Sequence, residues 1–189
     1  MDLYQIFKTH MRKWTVSEVM IFILLTVGLG IVLAFSEKYY KLQKTQVIAL
    51  LVCISYLEIV FASTVFMREA SIRQYRLVPM WSWHEAIKTN DIVLIQGNVL
   101  NMILFVPIGF LLPFIHNHDI LLRNALKKGI FVSMIIETSQ LALMCGLFEW
   151  DDMIHNGLGC MLGCFIGNFI WKALRNRKNK NEMIEWENR

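Results

Sequence analysis

Long apolar segments constrain this chain more than any other feature of its sequence. Five of them approach the roughly 20 residues that a helix needs to cross a bilayer, namely residues 16–35, 46–66, 92–114, 129–147 and 153–171. Hydrophobic residues make up 56% of the chain and charged residues 18%, whereas soluble proteins have roughly 45–50% and about 25%. The sequence therefore predicts an all-α, polytopic transmembrane bundle of about five spanning helices, with residues 1–189 forming a single membrane domain.

Positive charge distinguishes the two ends of this bundle. Five spans place seven Lys and Arg residues on the side of the N-terminus and twelve on the other side. Because Lys and Arg concentrate in cytoplasmic loops, the N-terminus is predicted outside and the C-terminus inside, with residues 172–189 as a basic cytoplasmic tail. The second and fourth connections, residues 67–91 and 148–152, fall on the outer side together, and we call them the loop face. They carry complementary charges: Arg68, Arg73 and Arg76 in one, Glu149, Asp151 and Asp152 in the other.

An ionisable residue lies in the middle of the fourth predicted span. Glu137 is ten residues from Leu147, which places it about 15 Å below the loop face. Burying a charge there costs roughly 2.5 to 3.5 kcal/mol, so the residue is expected to face other helices. Polar residues on shared helix faces accompany it: Asn98 with Asn101, Glu137 with Gln140, and Asp152 with Asn156. We therefore predict a polar pocket between three helices, with Glu137 as its floor and the loop face as its lid.

Small residues recur every fourth position in the last predicted span, at Gly159, Gly163 and Gly167. Such spacing lets a neighbouring membrane helix approach closely. We expect these glycines to pack this span against the third or fourth span, and an oligomer through the same helix is also possible.

Four short motifs follow one another between Arg73 and Gly167. Residues 73–79 read RQYRLVP, 101–109 read NMILFVPIG, 137–140 read ETSQ and 149–159 read EWDDMIHNGLG. In this order they resemble the VanZ-like family of small bacterial membrane proteins, which is named for a protein associated with teicoplanin resistance. The resemblance covers residues 73–167 and implies a multi-pass protein of the bacterial plasma membrane with a role in the cell envelope and in glycopeptide tolerance. It implies no defined reaction.

Two functional hypotheses follow for the predicted pocket. In the first, it binds an amphiphilic envelope molecule, such as a lipid-linked cell-wall precursor or a lipoglycopeptide, whose phosphate or carboxylate meets the forked guanidinium groups of the loop face. The predicted ligand-binding residues are Arg73, Arg76, Asn98, Asn101, Glu137, Gln140, Asp152 and Asn156. In the second, the protein is a membrane enzyme acting on a lipid-linked substrate, with Glu137 as general acid or base and Asp151 or Asp152 holding a cation or orienting a phosphate. A proton-coupled transporter is a third, weaker possibility.

Structural explanations compete with each of these roles. Glu137 and Gln140 could be a hydrogen-bonded pair that holds helices in register, and Asp152 could cap the last span. His155 is predicted to be interfacial and structural, and Trp81 and Trp83 are predicted to be interface anchors. We expect membrane lipids as partners, and no cofactor, metal site or nucleic acid.

Overall fold

The computed structural model of the protein describes residues 15–40, 42–66, 68 and 72–187. Its helices are α1 (Val16–Tyr40), α2 (Lys44–Phe61), α3 (Trp81–Thr89), α4 (Ile92–His116), α5 (Leu122–Leu143) and α6 (Trp150–Glu187), and α2 continues into the π-helical turn Ala62–Phe66. Two short strands, β1 (Gln74–Arg76) and β2 (Leu147–Glu149), lie in the loops. The predicted all-α class is confirmed.

Three stretches of helix in the described part of the chain are long and apolar enough to cross a membrane: Lys44–Phe66, Ile92–His116 and Trp150–Arg177. They correspond to the second, third and fifth predicted spans. The first predicted span is also helical, and Val19–Leu33 is the part of it described as an apolar helix. The fourth is helix α5, which is 22 residues long, about 33 Å, and carries Lys127, Lys128 and Glu137. The count of five spans and their orientation remain predictions.

The end of α5 differs from the predicted span. The helix ends at Leu143, four residues before the predicted limit, and Met144 adopts a left-handed conformation with φ of 55°. The next N–H group, of Cys145, donates to the carbonyl of Gln140 at 3.0 Å and so closes the last turn. The chain then turns back through Gly146 into β2 instead of continuing outward as a helix.

Helix α6 packs closely along α4 and α5. A Cβ atom added to Gly159 would lie 1.9 Å from the carbonyl oxygen of Met102, and one added to Gly163 would lie 2.0 Å from that of Val106. At Gly167 the corresponding distance to the Phe110 oxygen is 2.4 Å. The three glycines therefore face α4, the third predicted span, and let the two backbones touch. Because α4 covers this face, an oligomer through α6 would need a different face.

A short parallel sheet joins the two connections of the loop face. Strand β1 pairs with β2 in the register Gln74 with Leu147, Tyr75 with Phe148 and Arg76 with Glu149. The sequence did not indicate these strands, because each has only three residues and no alternation of buried and exposed positions. Their pairing brings the basic and the acidic connection into direct contact.

Candidate functional site

Glu137 is enclosed by the protein, with 2% of its surface exposed. It lies six residues before the end of α5, about 9 Å along the helix, whereas the predicted span placed it ten residues, about 15 Å, from its end. The turn after α5 brings β2 back over it, so that the backbone N–H of Glu149 donates to Glu137 Oε2 at 3.0 Å. At this point the backbone of the loop face, rather than an open pocket, lies against the carboxylate.

Asp152 at the start of α6 is the second carboxylate of this region. Its Oδ1 atom accepts a hydrogen bond from Asn101 Nδ2 of α4 at 2.6 Å. Asp152 and Glu137 are close enough to repel one another, and Arg68 interacts favourably with both. We call these three residues, Glu137, Asp152 and Arg68, the charged triad. These charged groups, on α5, on α6 and in the connection that follows α2, therefore influence one another electrostatically.

Asp151 is buried and holds the start of α3. Its carboxylate accepts hydrogen bonds from Met80 N, from Ser82 N at 2.9 Å and from Ser82 Oγ at 2.5 Å. Met80, the residue before α3, is left-handed and provides no side-chain cap, so a carboxylate from α6 caps this helix. Asn98 Nδ2 donates to Ser82 Oγ at 3.1 Å and ties α4 to the same point. Asp151 and Asn98 were predicted as functional residues. Both bind Ser82, and they thereby join α3 to α6 and α4.

Gln140 and Asn156 make further bonds between helices. Gln140 Nε2 donates to the carbonyl of Thr64 in the π-helical turn at 3.0 Å. Asn156 Nδ2 donates to Ser133 Oγ of α5 at 2.8 Å, and no described group donates to its buried Oδ1. The two residues were predicted to line one pocket, but each connects a different pair of segments.

Arg73 and Arg76 are exposed at the surface of the loop face. The guanidinium carbon of Arg76 lies 3.8 Å from the ring centroid of Trp81, a cation–π contact that orients the group. Arg73, one residue before β1, is on the same surface. Both cations thus remain accessible from outside the bundle.

Glu149 is the register partner of Arg76 and has a perturbed pKa. Burial and, to a smaller extent, the nearby charges of Asp152 and Asp151 raise the pKa of its carboxyl to about 7, against the lowering effect of Arg76. The charge of the loop face therefore changes near neutral pH.

His155, predicted to be interfacial and structural, is buried between helices, with 1% of its surface exposed. Trp83 Nε1 donates to His155 Nε2 at 2.6 Å, and the two rings meet edge to face. Trp83, predicted as an interface anchor, connects α3 with α6 through this bond. The sequence offered no signal for the pair, because the two residues are 72 positions apart.

A bundle of apolar helices with buried polar contacts between them and charged groups at one end defines a class, that of helical membrane proteins. Within that class, residues 47–171 match the VanZ/LLP1 family, and the chain belongs to it. The match extends from α2 into α6 and includes all four motifs noted above. No match to the chain was found among curated proteins or among solved structures.

Proposed function

We propose that the loop face binds an amphiphilic molecule of the bacterial envelope in the plasma membrane, and that this binding contributes to teicoplanin-type glycopeptide tolerance. A lipid-linked cell-wall precursor and a lipoglycopeptide both have the required chemistry, an anionic headgroup attached to an apolar chain. The observation that carries the proposal is the charged triad, which is joined through Glu137 and β2 to the β1 segment with its exposed Arg73 and Arg76.

The buried part of this arrangement supports a role beyond packing. Placing two carboxylates from different helices close together at low solvent exposure costs free energy, since each loses hydration and they repel one another. Neutral amides would join the helices without that cost, as Gln140 and Asn156 do. Charge at Glu137 and Asp152 is therefore expected to serve the ligand or to hold Arg68 in position for it.

The exposed side chains around β1 include the two kinds of group that would contact an amphiphile. Arg73 and Arg76 each present a planar fork that can form paired hydrogen bonds to a phosphate or carboxylate. Next to them, Tyr75, Leu77 and Val78 are 65%, 53% and 67% exposed. Cationic and apolar groups side by side at one end of a membrane bundle match the two parts of a lipid-linked anion.

The test uses a glycopeptide-susceptible bacterium that expresses the protein from a plasmid. We expect Glu137→Gln, Arg73→Gln and Arg76→Gln to lower the minimal inhibitory concentration of teicoplanin toward that of the empty vector. Arg123→Gln, an exposed arginine at the other end of the bundle, is the matched control and should leave tolerance unchanged. Membrane levels of each variant are measured by immunoblot. If Glu137→Gln, Arg73→Gln and Arg76→Gln confer the same tolerance as wild type at equal levels, the proposal fails.

A membrane enzyme is the second candidate, and the desolvated Glu137 next to Asp152 supports it. A carboxyl group in such surroundings can hold a proton near neutral pH and act as general acid or base. Purified protein in nanodiscs would be incubated with undecaprenyl diphosphate and with lipid-linked cell-wall precursor, and the products analysed by mass spectrometry. Turnover that is lost in Glu137→Gln would establish catalysis, whereas binding without turnover supports the first proposal.

A further inference from the structure

A cavity of about 310 Å³ lies at the end of the bundle opposite the loop face. It is formed where α2 begins, where α4 ends and where α6 becomes polar. This volume is at the lower limit of the roughly 300 to 1,000 Å³ of small-molecule sites. The charged triad and the residues of the loop face do not line it, so it is a separate site.

One wall of the cavity is cationic and polar. Arg175 contributes the guanidinium group, and Gln43 and Thr45 contribute an amide and a hydroxyl. Arg175 Nη1 donates to the carbonyl of Asn117 at 3.3 Å, and its guanidinium carbon lies 5.0 Å from the ring centroid of Trp171. These contacts hold the guanidinium group at the cavity. The group has five N–H donors, and those that make no bond within the protein can bind a ligand.

The apolar part of the lining consists of Phe114, Trp171 and Leu174. Trp171 lies where α6 changes from an apolar to a basic helix, since Lys172, Arg175, Arg177 and Lys180 follow it. Tryptophan is enriched at the level of lipid headgroups, where a ring can face both apolar and polar surroundings. The cavity is therefore expected at the depth where a phospholipid changes from acyl chain to headgroup.

The charge around the cavity favours an anion. None of the described residues that line it is acidic. The nearby Asp119 is paired with Lys172 at 3.2 Å, which leaves Arg175 as the charged group of the wall. We propose that this cavity binds the phosphate of an anionic phospholipid at Arg175, with the glycerol and first acyl carbons against Phe114, Trp171 and Leu174. This site does not depend on the function proposed for the loop face.

Native mass spectrometry of the purified full-length protein in detergent tests the site, with phosphatidylglycerol and phosphatidylcholine as probes. Wild type should bind phosphatidylglycerol more tightly than phosphatidylcholine, and Arg175→Gln should weaken binding of phosphatidylglycerol about tenfold, as loss of a charged hydrogen bond predicts. Arg177→Gln removes an exposed charge from the same helix but not from the cavity, and should change affinity by no more than about twofold. Equal losses of phosphatidylglycerol affinity in Arg175→Gln and Arg177→Gln would mean that the basic helix attracts the anionic lipid without a specific site. That result would overturn the proposal.

A second variant tests whether binding needs the space of the cavity as well as the charge of Arg175. Leu174→Trp fills the space and keeps Arg175, so it should also weaken phosphatidylglycerol binding while helical content by circular dichroism stays that of wild type. Glycerol 1-phosphate, which has the headgroup chemistry without acyl chains, should not compete at concentrations where phosphatidylglycerol is displaced by unlabelled lipid. Competition by glycerol 1-phosphate, or unchanged lipid binding in Leu174→Trp, would contradict a lipid site here.

Discussion

The backbone N–H of Glu149 donates to the carboxylate of Glu137 at 3.0 Å and joins the loop face to the interior of α5. This bond exists because α5 stops at Leu143 and the chain returns through β2. A carboxylate that the sequence places in the middle of an apolar helix is thereby connected to the charged surface. The charged triad and the exposed arginines form one continuous region as a result.

Glu137→Gln should abolish teicoplanin tolerance without lowering the stability of the protein. The amide oxygen can accept the same bond from Glu149, and the neutral side chain avoids the cost of burying a charge. We expect a melting temperature in nanodiscs equal to or above that of wild type, together with loss of teicoplanin tolerance. A fall in melting temperature without a change in tolerance would assign Glu137 a purely structural role.

Asp151→Ala should destabilise the protein through α3. The substitution leaves the N–H groups of Met80 and Ser82 without their acceptor, and an unsatisfied buried donor costs about 1 to 3 kcal/mol. Hydrogen exchange at residues 80–82 should accelerate, and thermal unfolding should shift to lower temperature. Asp91→Ala is the matched control, because Asp91 caps α4 at an exposed site and its loss should cost about 1 kcal/mol. Equal effects of the two substitutions would show that Asp151 does no more than an exposed cap.

Gly159→Ala should disrupt the contact between α6 and α4. Its Cβ would lie 1.9 Å from a backbone oxygen, which cannot move aside as a flexible side chain can. We expect a large loss of folded protein, measured as the monodisperse fraction in size-exclusion chromatography after detergent extraction. Gly97→Ala provides the comparison within α4, because no described atom outside its own stretch of helix lies within 4 Å of its added Cβ. That variant should be as stable as wild type or more stable by about 0.5 to 1 kcal/mol, since alanine favours the helix.

Glu149 should make stability depend on pH. Its pKa is raised from 4.5 to about 7 in the folded protein, so the folded state holds a proton that the unfolded state has released between these values. The contribution of Glu149 is therefore fully present below about pH 4.5 and is lost as the pH rises through about 7. Glu149→Gln stays neutral, so its melting temperature relative to wild type should increase from pH 5 to pH 8. A difference that is constant over this interval would contradict the raised pKa.

The predicted orientation places the loop face outside the cell. Trp150 is 40% exposed there, and Cys53, Cys145, Cys160 and Cys164 are buried, so an introduced cysteine can be labelled over a low background. We expect Trp150→Cys to react with a membrane-impermeant maleimide in intact cells. Lys127→Cys, at the exposed start of α5, should react only after permeabilisation. The reverse pattern would place the loop face in the cytoplasm and exclude extracellular capture of a glycopeptide.

The helices were predictable because the length of an apolar segment is a local property. Residues 92–114 correspond to α4 within two positions, and residues 153–171 lie inside the longer α6, which continues to Glu187. The resemblance to the VanZ-like family is confirmed by the match over residues 47–171. Complementary charge also indicated that the two connections of the loop face would lie together. The limit of α5 was wrong, because apolar residues continue to Leu147 after the helix has turned at Met144.

The partners of the polar residues could not be predicted in this way. Helical spacing shows that Asn98 and Asn101 share a face, but not that one bonds Ser82 and the other Asp152. Those choices depend on the rotation of each helix and on the path of the connections, which position Asp151 to cap α3 and His155 to meet Trp83. The sequence by itself determined a membrane bundle with a buried carboxylate, charged connections and a glycine face, because these follow from composition and periodicity. Only the tertiary structure decided which of these groups join helices through hydrogen bonds and which form the charged triad. Hydrogen bonds between distant segments require an arrangement in space that local patterns do not specify.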